Sequence, residues 1–165
     1  MRTFLAFVAM LAVSTSNAAA ATEGLYQPLA RALDMPVLAD SVGPRDKSRL
    51  LLKYVRSGET LKDWNKLMTV SILRVAAPDT DPATYGVIDR FKKTLAQRHA
   101  HIDTFDLTPV KPYSAYFAYH AGGAIYKGIA YSPAAGFVSV IDVAEKKNGT
   151  ITSRDVKILK SIIGR

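Results

Sequence analysis

The stretch PYSAYFAYHAGGAIYKGIAYSPAAGFVSVIDV, residues 112–143, decides the fold of this chain. Three segments in it have the aromatic and β-branched composition of strands, at 112–121, 124–131 and 137–143. Gly122-Gly123 separates the first two and SPAAG the last two, so we expect three strands paired antiparallel. The strand at 137–143 is apolar on both faces, which predicts a central position covered on both sides.

The sequence on either side of this meander predicts further strands and two helices. Asp81 and Pro82 provide an N-cap and a first helical residue for a helix that runs to about Ala100. Thr152 and Asp155 are spaced to cap a final helix. Two more segments have strand character, RLLLKYVR at 49–56 and HIDTFDLTPV at 101–110.

A third helix is predicted in GETLKDWNKLMTVSIL, residues 58–73. Thr60 is a suitable N-cap, and the apolar residues after it recur at helical spacing. We therefore expect Thr60 to start an amphipathic helix and Trp64 to anchor it by packing a large ring against the sheet. The alternative is a tryptophan that stacks on a ligand.

The order of these elements predicts an α+β fold, in which a mostly antiparallel sheet is packed between helices. A single domain is expected over residues 49–165. Residues 21–48 are expected to be partly irregular, with a short helix interrupted at Pro28 and stopped at Pro36.

The first twenty residues have the layout of a cleaved secretory signal peptide. Arg2 supplies the positive start, Phe4–Val13 the apolar run, and Ala18 and Ala20 the small residues before the cleavage point. We therefore predict a periplasmic or secreted protein. A run of about ten apolar residues is too short to span a bilayer, so we expect no transmembrane segment after cleavage. An uncleaved anchor or a buried N-terminal helix is the alternative.

Composition narrows the choice of partners. The chain has no cysteine, which excludes disulfides and thiolate metal sites, and its formal charge is +8. A basic exported protein is attracted to anionic lipids and glycans, and nucleic acid is not an expected partner outside the cytoplasm. The chain lacks glycine-rich phosphate-binding motifs, so no cofactor is predicted.

The density of tyrosines in the meander suggests a binding surface for a ligand or a partner protein. Alternation along the strand places Tyr113, Phe117 and Tyr119 on one face and Tyr116 and His120 on the other. Aromatic residues paired across strands also stabilise sheets, so a purely structural role is the alternative. The candidate binding residues are Tyr113, Tyr116, Tyr119, His120, Tyr126 and Lys127.

The three histidines are candidate metal ligands and candidate catalysts. His99, His101 and Asp103 would converge on a metal if they shared one strand, but His99 ends a predicted helix, and no metal site is predicted. His120 is a conceivable general base beside a hairpin. No serine lies in a G-x-S-x-G motif.

The chain resembles small exported bacterial proteins with the PsbP/Mog1/DcrB-like α/β fold. The resemblance rests on GET at 58–60, Trp64, the tripeptide Met68-Thr69-Val70, and the helix, aromatic meander and C-terminal helix that follow. It covers about residues 49–163 and implies an antiparallel sheet packed between helices. It implies no activity, since proteins with this fold have unrelated roles.

These observations favour a non-catalytic exported protein that binds a partner protein or an anionic envelope component through residues 111–131. The alternative is a small envelope hydrolase or glycan-processing enzyme that uses His120 with a nearby carboxylate.

Overall fold

A computed structural model describes residues 17–42, 48–146 and 151–164 as one antiparallel sheet with helices on both faces. The strands are β1 (Val37–Val42), β2 (Arg49–Val55), β3 (Lys66–Arg74), β4 (His101–Leu107), β5 (Ser114–Ala121), β6 (Ala124–Ala134) and β7 (Phe137–Glu145). The helices are α1 (Asn17–Ala32), α2 (Thr80–Gln97) and α3 (Ser153–Ile162). The predicted α+β class is confirmed.

The sheet has seven strands in the order β1-β2-β3-β7-β6-β5-β4, and every neighbouring pair is antiparallel. Strands β5 to β7 form the predicted meander, and β4, the strand predicted at 101–110, extends it. The strand that is apolar on both faces, β7, lies fourth of seven, which confirms its predicted central position. Burial on both faces explains its composition.

Each face of the sheet has its own core, because side chains alternate along every strand. On one face, α1 and α3 cover Tyr54, Met68 and Ile141. On the other, α2 packs Ile88 and Leu95 against Phe117, Tyr119 and Val140. We refer to these as the α1/α3 face and the α2 face.

The predicted helix after Thr60 is wrong, because this segment contains β3. Met68, Val70 and Ile72 are buried and the residues between them are partly exposed, which is the period of a strand. Thr60 and Asp63 do pair, but they exchange backbone hydrogen bonds of 3.1 and 3.2 Å that close a turn on itself. The capping signal therefore marks a turn and not a helix start.

Trp64 consequently lies in the loop before β3 and is only partly buried. Lys146 Nζ lies 4.4 Å from the centre of its ring, and the Lys146 backbone N–H donates a 3.1 Å hydrogen bond to the Asn65 carbonyl. The ring therefore holds this loop against the end of β7 and does not anchor a helix.

Residues 17–42, which lie outside the predicted α+β domain, contribute α1 and β1. Pro28 lies inside α1, and Tyr26 forms a buried 2.7 Å hydrogen bond with Ser139 of β7. β1 extends the sheet by pairing with β2. Residues 1–16 of the predicted signal peptide lie outside the described residues, so its cleavage stays a prediction. No helix in the described ranges is long and apolar enough to cross a membrane.

The predicted cap of α3 is present. Thr152 accepts a 3.2 Å hydrogen bond from the Asp155 backbone N–H, and the Thr152 N–H donates to Asp155 Oδ2 at 2.9 Å. These reciprocal bonds satisfy two N–H groups that the first turn would leave free.

Candidate functional site

Helix α2 leaves one corner of its face of the sheet uncovered. Its first turn is tied to the β6–β7 turn, where the Gly136 N–H donates a 2.9 Å hydrogen bond to Thr80 Oγ1. From there α2 crosses β7, β6 and β5 and leads into β4 at the opposite end of the sheet. On β3, Leu67 and Thr69 of the same face remain partly exposed. The corner that α2 does not cover therefore spans β3, the end of β7 and the start of β6. Thr69, Tyr126 and Asp142 are partly exposed there, whereas Ala124 and Ala144 on the same face are buried.

Asp142 of β7 lies in this corner, within a row of residues that face one another across the sheet. Thr69 of β3 is its partner on one side and Gly128 of β6 on the other. Beyond Thr69 the row continues to Lys53, whose Nζ lies 3.5 Å from the Asp40 carboxylate. The basic residue nearest along the row is therefore already paired.

The Asp142 carboxylate has no hydrogen-bond or ion-pair partner among the described residues. Its side chain sits among a high density of protein atoms but keeps partial access to water. Burial alone raises the pKa of Asp142 to about 7. A carboxylate on a central strand is costly without a protein partner, and here only the water that reaches its oxygens offsets this cost.

Two tyrosines stand beside Asp142 on the same face. Tyr119 and Tyr126 stack in parallel, with ring centres 4.6 Å apart and planes inclined by 2°. Burial raises the pKa of both hydroxyls, and the negative charge of Asp142 raises it further. Both hydroxyls are therefore neutral at physiological pH and available as hydrogen-bond donors. We refer to Tyr119, Tyr126 and Asp142 as the tyrosine–aspartate cluster.

Gly128 allows the Phe117 ring to pack closely on the sheet next to the cluster. A Cβ atom at Gly128 would lie 2.6 Å from the Phe117 ring and would also meet the Ile141 carbonyl oxygen. The Phe117 ring therefore lies over the glycine backbone, where only glycine leaves room for it. Phe117 in turn packs on Phe91 of α2, with ring centres 4.8 Å apart.

The other candidate residues from the sequence lie elsewhere. Tyr116 and His120 point to the α1/α3 face, as alternation predicts, and Lys127 shares that face because it neighbours Tyr126 on the strand. Lys160 of α3 covers Tyr116, with Nζ 4.4 Å from the ring centre. Tyr113 precedes β5 and contacts Tyr85 of α2, with ring centres 5.5 Å apart. Tyr119 and Tyr126 are thus in ring contact on the α2 face, whereas Tyr116, His120 and Lys127 lie on the opposite face.

A second group of polar residues lies at the edge of the α1/α3 face. His101 and His120 face each other across β4 and β5, and a bulge at Asp103 interrupts the pairing beside them. Asp103 Oδ2 lies 2.9 Å from His120 Nε2, and Oδ1 lies 3.5 Å from His101 Nε2. His99 is not part of this group, because it follows α2 in a left-handed conformation with φ 54°.

This edge group is open to water, and His120 is about half exposed. Within the ranges that the structure describes, no three His, Asp or Glu side chains are arranged to hold a metal ion. The group therefore provides a histidine and a carboxylate in close contact at the edge of the sheet.

Asp142 was missed in the sequence although a signal for it is present. It is the only charged residue in FVSVIDV, a strand that is otherwise apolar or small on both faces. A lone carboxylate in a strand predicted to be central is itself a sign of a partner or a function. The pairing of His120 with Asp103 had no such signal, because the register between β4 and β5 depends on the bulge.

Comparison with known proteins gives a weak likeness of fold. No protein-family model matches the chain, and no curated protein matches it. The solution structure of cyanobacterial PsbP (CyanoP) from Synechocystis sp. PCC 6803 matches at 12% identity and a TM-score of 0.39. The match covers 74% of this chain and 85% of that one. The resemblance to PsbP-like proteins is thus a weak resemblance of fold and says nothing about activity.

Proposed function

We propose that the protein is a non-catalytic binding protein of the periplasm or the extracellular space, and that it contacts its partner through the tyrosine–aspartate cluster. The observation that carries this proposal is the unpaired carboxylate of Asp142 beside two stacked tyrosines on an uncovered corner of the sheet. The signal-like sequence before residue 21 supports export.

The chemistry of the cluster favours recognition over turnover. Two neutral hydroxyls and a carboxylate offer hydrogen-bond donors and acceptors beside flat apolar rings, which suits a contact that is partly polar and partly aromatic. No nucleophile such as serine is hydrogen-bonded to Asp142 within the described ranges. A partner protein fits this surface better than an anionic lipid or glycan, because Asp142 would repel an anion.

The proposal is tested by recovering the protein from its native envelope by gentle purification and recording native mass spectra. The wild type is compared with Tyr126→Ala and with Tyr85→Ala, since Tyr85 is an exposed tyrosine on α2 outside the cluster. We expect a co-purifying mass with the wild type and Tyr85→Ala, and its loss with Tyr126→Ala. A partner retained by all three proteins would refute the proposed surface.

Export is tested in the same preparation. We expect the protein in the envelope fraction, with the mass of a chain that begins near Ala21. Recovery of the uncleaved chain from the cytoplasm would contradict this part of the proposal.

The second candidate is a small envelope hydrolase that uses His120. The observation in its favour is Asp103 Oδ2 at 2.9 Å from His120 Nε2, which places a carboxylate next to a candidate general base. A hydrolase or glycosidase activity that disappears in both His120→Ala and Asp103→Asn would support this candidate. Activity that survives in His120→Ala would exclude it.

A further inference from the structure

We propose that Asp142 receives a cationic group of the partner, a primary ammonium or a guanidinium such as a lysine or arginine side chain carries. This inference rests on the proposed function, and it names the chemistry that the tyrosine–aspartate cluster recognises. Its basis is geometric: a carboxylate without a counter-ion lies on an uncovered part of the sheet, between two tyrosine rings and a partly exposed threonine.

No group of the described residues near Asp142 is its counter-ion, so the partner that its charge lacks is a cation. Thr69 of β3 has no charge, and Lys53 of β2 lies 3.5 Å from Asp40. Tyr119 and Tyr126 are neutral. Arg98, which follows α2, is exposed, and its positive charge slightly opposes the rise in the pKa of Tyr119. None of these groups forms an ion pair with Asp142 in the described ranges. A cation from a partner can therefore bind this carboxylate without displacing a cation of the protein.

Aromatic rings beside the carboxylate favour a cation over a neutral hydrogen-bond donor. A cation gains from the carboxylate by Coulomb attraction and from the face of a nearby ring by cation–π attraction. The chain already uses this contact at three other places, where a lysine Nζ lies 4.4 to 5.2 Å from an aromatic ring centre. An anion would gain from neither.

The affinity of this site for a cation should depend on pH, because the cation binds only when Asp142 is ionised. An acid with a pKa of about 7 is about one-tenth ionised at pH 6 and about nine-tenths ionised at pH 8. A cation binds the ionised form, so its affinity is expected to be about tenfold higher at pH 8 than at pH 6. A neutral ligand would show no such gain.

The experiment is an NMR titration of the purified full chain with four small probes, each built on a four-carbon chain. They are n-butylammonium, n-butylguanidinium, butan-1-ol and butanoate, each followed through the amide shifts of Thr69, Gly128 and Asp142 at pH 6 and pH 8. We expect saturable shifts with the two cations only, about tenfold tighter at pH 8. Asp142→Asn should abolish them. Asp89→Asn, which removes a carboxylate on α2 at 2.7 Å from Lys93, should leave them unchanged.

Three results would overturn the inference: equal shifts with butanol or butanoate, cation binding that survives in Asp142→Asn, or no shift with either cation. The envelope experiment separates this failure from failure of the proposed function. If the partner is lost with Tyr126→Ala but kept with Asp142→Asn, the proposed binding surface is supported and only the inference about a cationic group is refuted.

Discussion

Lys66 Nζ lies 2.8 Å from Asp155 Oδ2, and both side chains are almost completely buried. The pair joins the start of β3 to the first turn of α3, two elements 89 residues apart in the chain. Burial opposes the ionisation of Asp155, but the hydrogen bonds from Lys66 and Thr152 outweigh it and lower the pKa of the carboxyl. The position of α3 on the sheet therefore depends on a charged pair as well as on apolar packing.

Removing one member of this pair should be strongly destabilising. Asp155→Ala removes the ion-pair partner of a buried ammonium, which then faces only the Glu145 carboxylate across the strands, and it removes the cap of α3. We therefore expect a loss of about 3–5 kcal/mol in the free energy of unfolding. Chemical denaturation measures this change. Asp89→Ala is the control, because the Asp89–Lys93 pair is exposed on α2 and should cost less than about 1 kcal/mol. Equal losses in the two variants would contradict the assigned role.

The same pair predicts a direction with pH. The pKa of Asp155 is lower in the folded protein than in the unfolded chain, so its contribution is complete above the unfolded value of about 4. The contribution is lost as pH falls through the folded value. The stability difference between the wild type and Asp155→Ala should therefore shrink below about pH 4. A difference that stays constant down to about pH 2 would show that the carboxylate's charge is unimportant.

Asp142 should have the opposite pH dependence. Its folded pKa of about 7 lies above the unfolded value of about 4. The folded protein therefore loses stability as pH rises from about 4 to about 7. Asp142→Asn removes the buried charge and should be more stable than the wild type at pH 8 by up to about 4 kcal/mol, since the folded and unfolded pKa values differ by about three units. At about pH 4 the two proteins should melt alike. A destabilised Asn variant at pH 8 would mean that the carboxylate has a stabilising partner.

Gly128 and Gly86 provide a matched test of the close approach on the α2 face. Gly128→Ala places a methyl group against the Phe117 ring and the Ile141 carbonyl and should cost about 1–3 kcal/mol or more. Gly86 lies on α2, and a methyl group there would meet no side chain and no neighbouring element within 4 Å. Gly86→Ala should therefore stabilise by about 0.5–1 kcal/mol. Thermal unfolding of the two variants measures both changes, and opposite signs are expected.

Trp64→Ala tests the corrected position of the tryptophan. A fully buried anchor would cost about 3–5 kcal/mol on truncation. A partly buried ring in a loop, with Lys146 over one face, should cost about 1–2 kcal/mol. Denaturant unfolding measures the change, and a loss of about 4 kcal/mol or more would show that the ring carries more of the core than its exposure indicates.

The elements that were predicted correctly have local signals. Strands β4 to β7 are separated by turns whose residues are adjacent in sequence, and α3 begins at a capping box within four residues. Such features need no knowledge of distant contacts. The central position of β7 also followed locally, because its composition reports burial on both faces.

The elements that were missed depend on contacts distant in sequence. Lys66 occupies a buried position of β3, which hides the alternation of that strand, and its partner Asp155 is recognised only once α3 is in place. β1 has three apolar residues, two polar ones and a final valine, without the alternation of a strand, and its pairing with β2 determines its conformation. Trp64 and Leu61 completed a helical spacing that the chain does not use.

The candidate site was predictable only in part. Tyr119 and Tyr126 were identified from tyrosine density, but their stacking follows from the register of β5 and β6. The basic residue Lys127 cannot join them, since neighbours on a strand point to opposite faces. The uncovered corner around Asp142 depends on the path of α2 across the sheet.

The measurement that tests the central claim most directly is the pKa of Asp142, from the carboxyl ¹³C shift of the labelled protein as a function of pH. We expect a midpoint at about 7 in the wild type, and a signal that is absent in Asp142→Asn. A midpoint near the ordinary value of about 4 would contradict the claim, since the carboxylate would then be well hydrated or paired.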